Sequence, residues 1–120
     1  MKSAIEINLE MGMPTADDAM TQLRDAIKRY GKNNCLVFIH GYGRTGKGGV
    51  IRQKARQWLN AQVRNGKIKR CVNGEDFGIF SNDAREMYSK YSGLDQYKDR
   101  GNHGITIWEQ GQKILLRCLL

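Results

Sequence analysis

The hydrophobic and polar positions in the first forty residues predict a strand, a helix and a second strand. Apolar and polar residues alternate over residues 4–9, which is the pattern of a half-buried strand. Apolar residues then recur at helical spacing over about residues 16–30, and Thr15 with Asp18 fits a capping box at the start of that helix. An unbroken apolar run over residues 35–39, rich in β-branched and aromatic side chains, predicts a strand buried on both faces.

The rest of the chain predicts a second helix and two further strands. Residues 50–64 place apolar residues on an inner helical face and basic residues on the outer face. Strands are predicted over residues 68–72 and 105–109. The stretch 74–102 between them lacks a sheet pattern but fits a short helix running to Tyr91.

These elements predict one α/β domain over residues 1–120, a length that suits a single core. We expect a two-layer sandwich with the order β-α-β-α-β-β, in which two helices cover one face of a mixed four-stranded sheet. Residues 74–102 are an insertion in this scheme. Residues 110–120 are an apolar C-terminal extension, which packs on the core or joins copies of the chain into a homo-oligomer.

The distribution of charge shifts attention from the fold to a partner. The net charge is +8, and residues 31–70 carry ten basic side chains and no acidic one, so the whole excess lies in one third of the chain. A field of one sign attracts polyanions, of which nucleic-acid backbones are the commonest. We therefore expect DNA or RNA as the partner.

Several other classes of protein do not fit the sequence. Cys35, Cys71 and Cys118 are odd in number and widely spaced, which argues against a disulfide framework and against a zinc site, so no metal ligands are predicted. The chain shows no signal-peptide pattern and no apolar run near the roughly 20 residues of a membrane span. A cytoplasmic protein without a membrane partner is expected.

The segment from Ile39 to Val50 joins a buried strand to a helix and contains five glycines. Glycine lets the backbone approach a ligand closely, and the amides at the start of the helix point toward an anion. Ligands of α/β sheets also collect at the carboxyl ends of strands. The predicted nucleic-acid contacts are Gly41, Tyr42, Gly43, Arg44, Thr45, Gly46, Lys47, Arg52, Lys54 and Arg56.

Two alternatives to a nucleic-acid interface remain open. Gly41, Gly46 and Lys47 match the G-x-x-x-x-G-K spacing of a nucleotide-binding P-loop, but Gly48 stands where Ser or Thr would hold magnesium. The apolar tail and the stretch 74–102 are also compatible with a protein-interaction domain.

Several motifs resemble the small MutS-related (Smr) domain. The run from Ile39 to Gly43 is similar to that family's His-Gly-x-Gly motif, Thr45-Gly46 to its Thr-Gly pair, and Val50-Ile51-Arg52 to its Leu-Arg pair. The turn and strand over residues 101–109 also resemble the family pattern, as do Asp17, Asp18 and Ala19 in the first helix. The resemblance implies a fold like the C-terminal domain of translation initiation factor three, DNA or RNA binding, and endonuclease activity in some members.

The chain departs from that family at the first strand. Nuclease members typically carry Leu-Asp-x-His there, whereas this chain has Ile7-Asn8-Leu9-Glu10, and asparagine cannot act as a carboxylate base. His40 and Glu10 are the remaining catalytic candidates, and Mg²⁺ or Mn²⁺ would be the cofactor of a nuclease, while binding alone needs none. His40 could instead contact a phosphate or shape the turn by hydrogen bonding, and His103 is expected in an exposed loop. The departure predicts a divergent member with weakened or lost catalysis.

Overall fold

The computed structural model describes residues 2–12, 15–31, 34–41, 47–65 and 70–109. The helices and strands in chain order are β1 (Lys2–Ser3), β2 (Ile5–Asn8), α1 (Ala16–Tyr30), β3 (Cys35–Ile39), α2 (Lys47–Arg64), β4 (Arg70–Asn73), α3 (Asn82–Lys90), β5 (Tyr91–Ser92) and β6 (Ile105–Glu109). Two short 3₁₀ helices occupy Gly74–Asp76 and Asp95–Tyr97. The predicted extension over residues 110–120 lies outside the described residues.

Four strands form one mixed sheet in the order β2-β3-β6-β4. Strand β3 is parallel to β2, and β6 is antiparallel to both β3 and β4. Strands β1 and β5 form a separate two-stranded parallel pair. An α/β fold with a mixed four-stranded sheet is therefore confirmed. Helix α3 is the short helix predicted within residues 74–102, and β1 and β5 are strands that the prediction lacks.

The start of helix α1 is fixed by the predicted capping box. The Thr15 hydroxyl accepts a hydrogen bond from the amide of Asp18 at 3.1 Å, and the Asp18 carboxylate accepts one from the amide of Thr15 at 3.4 Å. These bonds satisfy two amides that the first helical turn would otherwise leave without partners. Helix α2 begins at Lys47, three residues earlier than predicted, and β4 ends one residue later than predicted, at Asn73.

One face of the sheet packs against helices α1 and α2. Leu36 and Phe38 of β3 and Trp108 of β6 point to this face, because side chains alternate along a strand. They meet buried apolar residues of both helices, including Leu23 and Leu59. This face confirms the predicted packing of two helices on one side of the sheet.

The prediction of two layers is wrong, because the second face of the sheet is also covered. Val37 and Ile107 point to that face and pack against a second core formed by residues 74–102, including Met87 and Leu94. Strand β3 is apolar on both sides, so both sides must be shielded from water. The stretch predicted as an insertion therefore forms a third layer. The expected likeness to translation initiation factor three stays a prediction.

The two described cysteines, Cys35 and Cys71, are free thiols. Burial raises the pKa of each to about 12, so both are unreactive at neutral pH. Within the described ranges, no helix is long and apolar enough to span a membrane.

Candidate nucleic-acid interface

The glycine-rich segment starts at the carboxyl end of β3, where the backbone is fixed to the start of β6. The amides of His40 and Gly41 both donate to the carbonyl of Gly104, at 2.9 and 3.0 Å. Gly41 has a φ of +78°, which side chains other than glycine rarely adopt. This glycine is therefore required by the conformation that leads out of the strand.

Glu10 lies against Gly41, as a catalytic site shared by Glu10 and His40 would require. The Glu10 carboxylate fills the position that a Cβ on Gly41 would occupy, so a side chain there would have to displace Glu10. Asn8 helps to place Glu10, because its side-chain oxygen accepts a hydrogen bond from the Glu10 amide at 2.9 Å. The structure thus gives Asn8 a positioning role in the turn after β2.

The imidazole of His40 is fully buried and both of its nitrogens have partners. Nε2 lies 2.8 Å from the Thr106 hydroxyl, and Nδ1 lies 3.1 Å from the Gly41 carbonyl. Arg56 Nε donates to the same hydroxyl at 2.9 Å. Because the Gly41 carbonyl can only accept, the proton of the neutral ring sits on Nδ1 and is donated to Gly41. Nε2 then accepts from the Thr106 hydroxyl, which in turn accepts from Arg56.

Burial lowers the pKa of His40 to about 4, since a charged ring would be removed from water. The positive charges of Arg56 and Arg52 lower it further, while the hydrogen bond to the Gly41 carbonyl and the charge of Glu75 act in the opposite direction. His40 is therefore neutral at pH 7. In this arrangement it holds the strand end and the turn together.

Arg56 points inward, so its predicted position on the outer face of the second helix is wrong. Its guanidinium makes two hydrogen bonds to the Glu75 carboxylate, at 2.9 and 2.7 Å, and a third to the carbonyl of Ile105 at 3.0 Å. The Arg56 side chain is only 15% exposed. Thr106 on the helix-covered face of the sheet draws the guanidinium toward β6. We call Arg56, Glu75, Thr106 and His40 the His40 cluster.

Glu75 connects this cluster to the surface. Burial alone would raise the pKa of Glu75, but the hydrogen bonds from Arg56, a backbone hydrogen bond and the charges of Arg56 and His103 together outweigh it, so the pKa is lowered and the group is ionised. His103 Nδ1 lies 3.4 Å from the same carboxylate, and His103 is exposed as predicted. Glu10, His40 and His103 thus meet at one end of the sheet, with the His40 ring facing inward and the other two side chains facing solvent.

Other predicted contacts lie on or near the surface of α2. Arg52 is half-buried, and Lys54 is exposed, with an amine 3.8 Å from the Asp17 carboxylate. An ion pair this exposed contributes little and leaves Lys54 able to bind other anions. The remaining predicted contacts fall outside the described residues, either entirely or in their side chains: Tyr42, Gly43, Arg44, Thr45, Gly46 and Lys47.

Acidic residues from elsewhere in the chain partly neutralise the basic stretch. Arg70 lies 2.5 Å from the Glu86 carboxylate and 3.1 Å from that of Glu109, just as Arg56 pairs with Glu75. A segment without acids therefore does not give a surface without acids. Sequence reasoning missed Glu75 and Thr106, although a lone hydroxyl in the apolar strand β6 was a signal of a buried polar contact.

The described residues contain no group of three or more His, Cys, Asp or Glu side chains placed to hold a metal ion. The Mg²⁺ or Mn²⁺ expected of a nuclease stays a prediction.

Comparison with known proteins adds one match. No curated protein and no solved structure matches the chain. The Smr domain family model matches residues 9–76, a span that runs from the end of β2 through the glycine-rich segment, α2 and β4 to Asp76. Because this span covers more than half of the 120 residues, the chain belongs to the Smr domain family.

Proposed function

We propose that this Smr domain binds nucleic acid at the end of the sheet where β3 leads into the glycine-rich segment. The observation that carries the proposal is a surface depression of about 540 Å³ beside the His40 cluster. Its lining residues come from α2, the 3₁₀ helix after β4 and the loop before β6: Arg52, Gln53, Arg56, Gln57, Glu75 and His103.

The charge of this depression suits a phosphate backbone. The Arg56 and Glu75 charges cancel through their two hydrogen bonds, so Arg52 is the charge without an opposite partner among the described lining residues. Gln53 and Gln57 supply neutral amide donors next to it. Half or more of protein contacts to DNA are made to phosphate and sugar by groups of this kind.

Smr domains in general bind nucleic acid or act as nucleases, and the family match includes helix α2 and Glu75, which line the depression. Family membership and local charge thus support the same partner independently. DNA and RNA share the phosphate chemistry used here, and binding assays with both separate them.

The test of binding is its dependence on salt and on Arg52. We expect log affinity to fall linearly with log salt, because bound phosphates release counterions. Arg52→Gln should weaken binding and lower the magnitude of the salt slope by about 1. The matched control is Arg64→Gln, which removes the same charge from the same helix about 18 Å away. Equal effects of the two substitutions, or no binding at low salt, would refute the proposal.

A second candidate function is phosphodiester cleavage, and one observation favours it. Glu10 and His103 are exposed and flank the joined backbones of Gly41 and Gly104. The predicted catalytic role of His40 requires its ring to leave the hydrogen bonds to Thr106 and Gly41 before it can take a proton. Glu10→Gln on the surface removes the carboxylate without disturbing the core, so cleavage of supercoiled plasmid and single-stranded RNA with Mg²⁺ or Mn²⁺ should fall. Equal cleavage by wild type, Glu10→Gln and His40→Ala would remove both residues from the reaction.

A further inference from the structure

Phe80 presents an aromatic ring to solvent on the third layer of the molecule. Its side chain is 94% exposed, the highest value among the large apolar residues that the structure describes. Phe80 follows the span matched by the Smr family model, so it is a feature of this chain beyond the matched part of the family. A ring in this position contributes nothing to the core.

The turn that carries Phe80 is held from both sides. The Asp99 carboxylate accepts a hydrogen bond from the amide of Ile79 at 3.1 Å, and Arg85 donates to the carbonyl of Ile79 at 2.8 Å. A Cβ on Gly78 would displace the Asp99 carboxylate from its hydrogen bond to the Ile79 amide. The ring is therefore presented by a fixed backbone, which lowers the entropy lost when a ligand binds.

Three surface depressions follow one another from Phe80 across helix α2. The first, of about 400 Å³, contains Phe80 and shares Glu75 with the depression described above. That second depression shares Gln57 with a third, of about 430 Å³, which lies between α1 and α2. The third contains the half-buried Trp58 together with Arg24 and Lys54. We call these three depressions the α2 track.

The α2 track combines the two features that single-stranded nucleic acid requires. Along its middle and far end, apart from the paired Arg56 and Glu75, three cations face one acid, Asp17: the cations are Arg52, Lys54 and Arg24. An aromatic ring stands at each end, Phe80 at one and Trp58 at the other. Binding of unpaired strands combines a basic groove for the backbone with aromatic side chains on which bases stack.

We propose that the α2 track binds an unpaired strand of nucleic acid, with one base stacked on Phe80 and another on Trp58. This inference rests on the proposed function and specifies its substrate. The bases of a duplex already stack on one another, so they cannot also stack on the exposed ring of Phe80. An unpaired base can stack on it. Asp76 and Asp99 line the Phe80 end, where their charge repels phosphate and favours a base over the backbone.

The test uses fluorescein-labelled oligonucleotides of about twelve nucleotides, within the site sizes of small single-strand binders. The probes are single-stranded RNA, single-stranded DNA and a duplex of the same sequence. Phe80→Ala should lower affinity for the preferred single strand about 5- to 100-fold and leave duplex affinity unchanged. Phe80→Trp should restore binding, because it supplies a ring of equal or greater stacking area.

The matched control is Tyr30→Ala, which removes an exposed aromatic ring at the opposite end of the molecule, where α1 ends. It should leave single-strand affinity unchanged. A second readout is tryptophan fluorescence, which a strand stacked on Trp58 should quench. Trp58→Phe should remove that quenching, because Trp108 is fully buried.

The outcomes separate this inference from the function on which it rests. Salt-dependent, Arg52-dependent binding that Phe80→Ala does not change would overturn the α2 track and leave the proposed function intact. Equal losses of duplex and single-strand affinity on Phe80→Ala would also overturn it. If Phe80→Ala instead abolishes self-association in sedimentation experiments without changing oligonucleotide binding, Phe80 serves a second copy of the chain and the inference is wrong. Absence of any oligonucleotide binding would refute both proposals.

Discussion

Two buried polar clusters occupy opposite ends and opposite faces of the β3–β6 strand pair. The His40 cluster lies under α2 at the end where β3 leads into the glycine-rich segment. At the other end, Glu109 is 1% exposed and receives hydrogen bonds from Lys90 Nζ at 2.8 Å and from the Tyr91 hydroxyl at 2.5 Å. Arg70 completes this Glu109 cluster, with Nε 3.1 Å from the carboxylate but not aligned for a hydrogen bond.

Each cluster pairs one arginine of the acid-free stretch with a later carboxylate, but the two differ in their connection to solvent. The Glu109 cluster joins the end of α3 and the start of β5 to the sheet, so it anchors the third layer. The His40 cluster runs from a neutral imidazole through Thr106 and Arg56 to Glu75, which lines both the proposed binding depression and the Phe80 depression. Similar buried charges thus attach the third layer to the sheet in the Glu109 cluster and shape a surface site in the His40 cluster.

The largest expected effect tests the Glu109 cluster as an anchor. Glu109→Gln removes the buried carboxylate that accepts from Lys90 and Tyr91, while Arg70 keeps its pair with Glu86. Losing two hydrogen bonds to a charged group should cost about 3 kcal/mol of unfolding free energy. Urea unfolding followed by the fluorescence of the buried Trp108 measures this loss.

The control for that substitution is Glu86→Gln. Glu86 pairs with the same Arg70, but its side chain is 63% exposed, so the loss should be below about 1 kcal/mol. If both variants lose the same free energy, burial is not what distinguishes the Glu109 cluster, and its role as an anchor is wrong.

Much of the fold follows from local patterns in the sequence, while the contents of the site do not. Strand β3, helix α1 with its Thr15 cap and the inner face of α2 each depend on neighbours within a few residues, so hydrophobic spacing predicts them. The motifs around His40 also predicted the family and the end of the sheet at which the candidates meet. Local signals were sufficient for these features because the same residues form the signal and the structure.

Pairing between distant residues is what the sequence pattern could not supply. The direction of Arg56 is decided by Thr106 and Glu75, which lie 50 and 19 residues away along the chain. The third layer was missed because residues 74–102 carry their apolar side chains on short helices and turns without a long periodic pattern. The count of charges over residues 31–70 failed to predict the surface for the same reason, because it ignores acidic residues from elsewhere in the chain that pack against this segment.

A smaller effect distinguishes the clusters by their response to pH. The pKa of His40 is about 4 in the folded chain and 6.5 as the ordinary value, so the unfolded chain binds this proton more tightly. Stability from His40 is therefore complete above pH 6.5 and is lost as the pH falls toward 4, by about 2 kcal/mol between pH 7 and pH 4.5. The pKa values of Glu75 and Glu109 are lowered from 4.5, so their losses come below this window.

Urea unfolding at pH 7.0, 5.5 and 4.5 checks this prediction. In His40→Gln the unfolding free energy should no longer change with pH above pH 4.5, even if the variant is less stable at every pH. In Glu109→Gln the unfolding free energy should still fall as the pH is lowered, because that substitution leaves the His40 imidazole buried. If the unfolding free energy of the wild type does not change with pH, His40 is protonated in the folded chain as readily as in the unfolded chain. The proton arrangement given above would then be wrong.

The smallest effect tests the hydrogen bonds inside the His40 cluster. Thr106→Val keeps the shape of a fully buried side chain but removes the partner of His40 Nε2 and of Arg56 Nε, which should cost roughly 1.5 kcal/mol. Thr21→Val, on the exposed side of α1, is the control and should change stability by less than about 0.5 kcal/mol. Thr106 and Glu109 lie about 10 Å apart along β6 and share no partner, so Thr106→Val and Glu109→Gln should be additive within about 0.5 kcal/mol. A larger interaction free energy between them would show that the two clusters are one network through the sheet, and the contrast between anchor and site would fail.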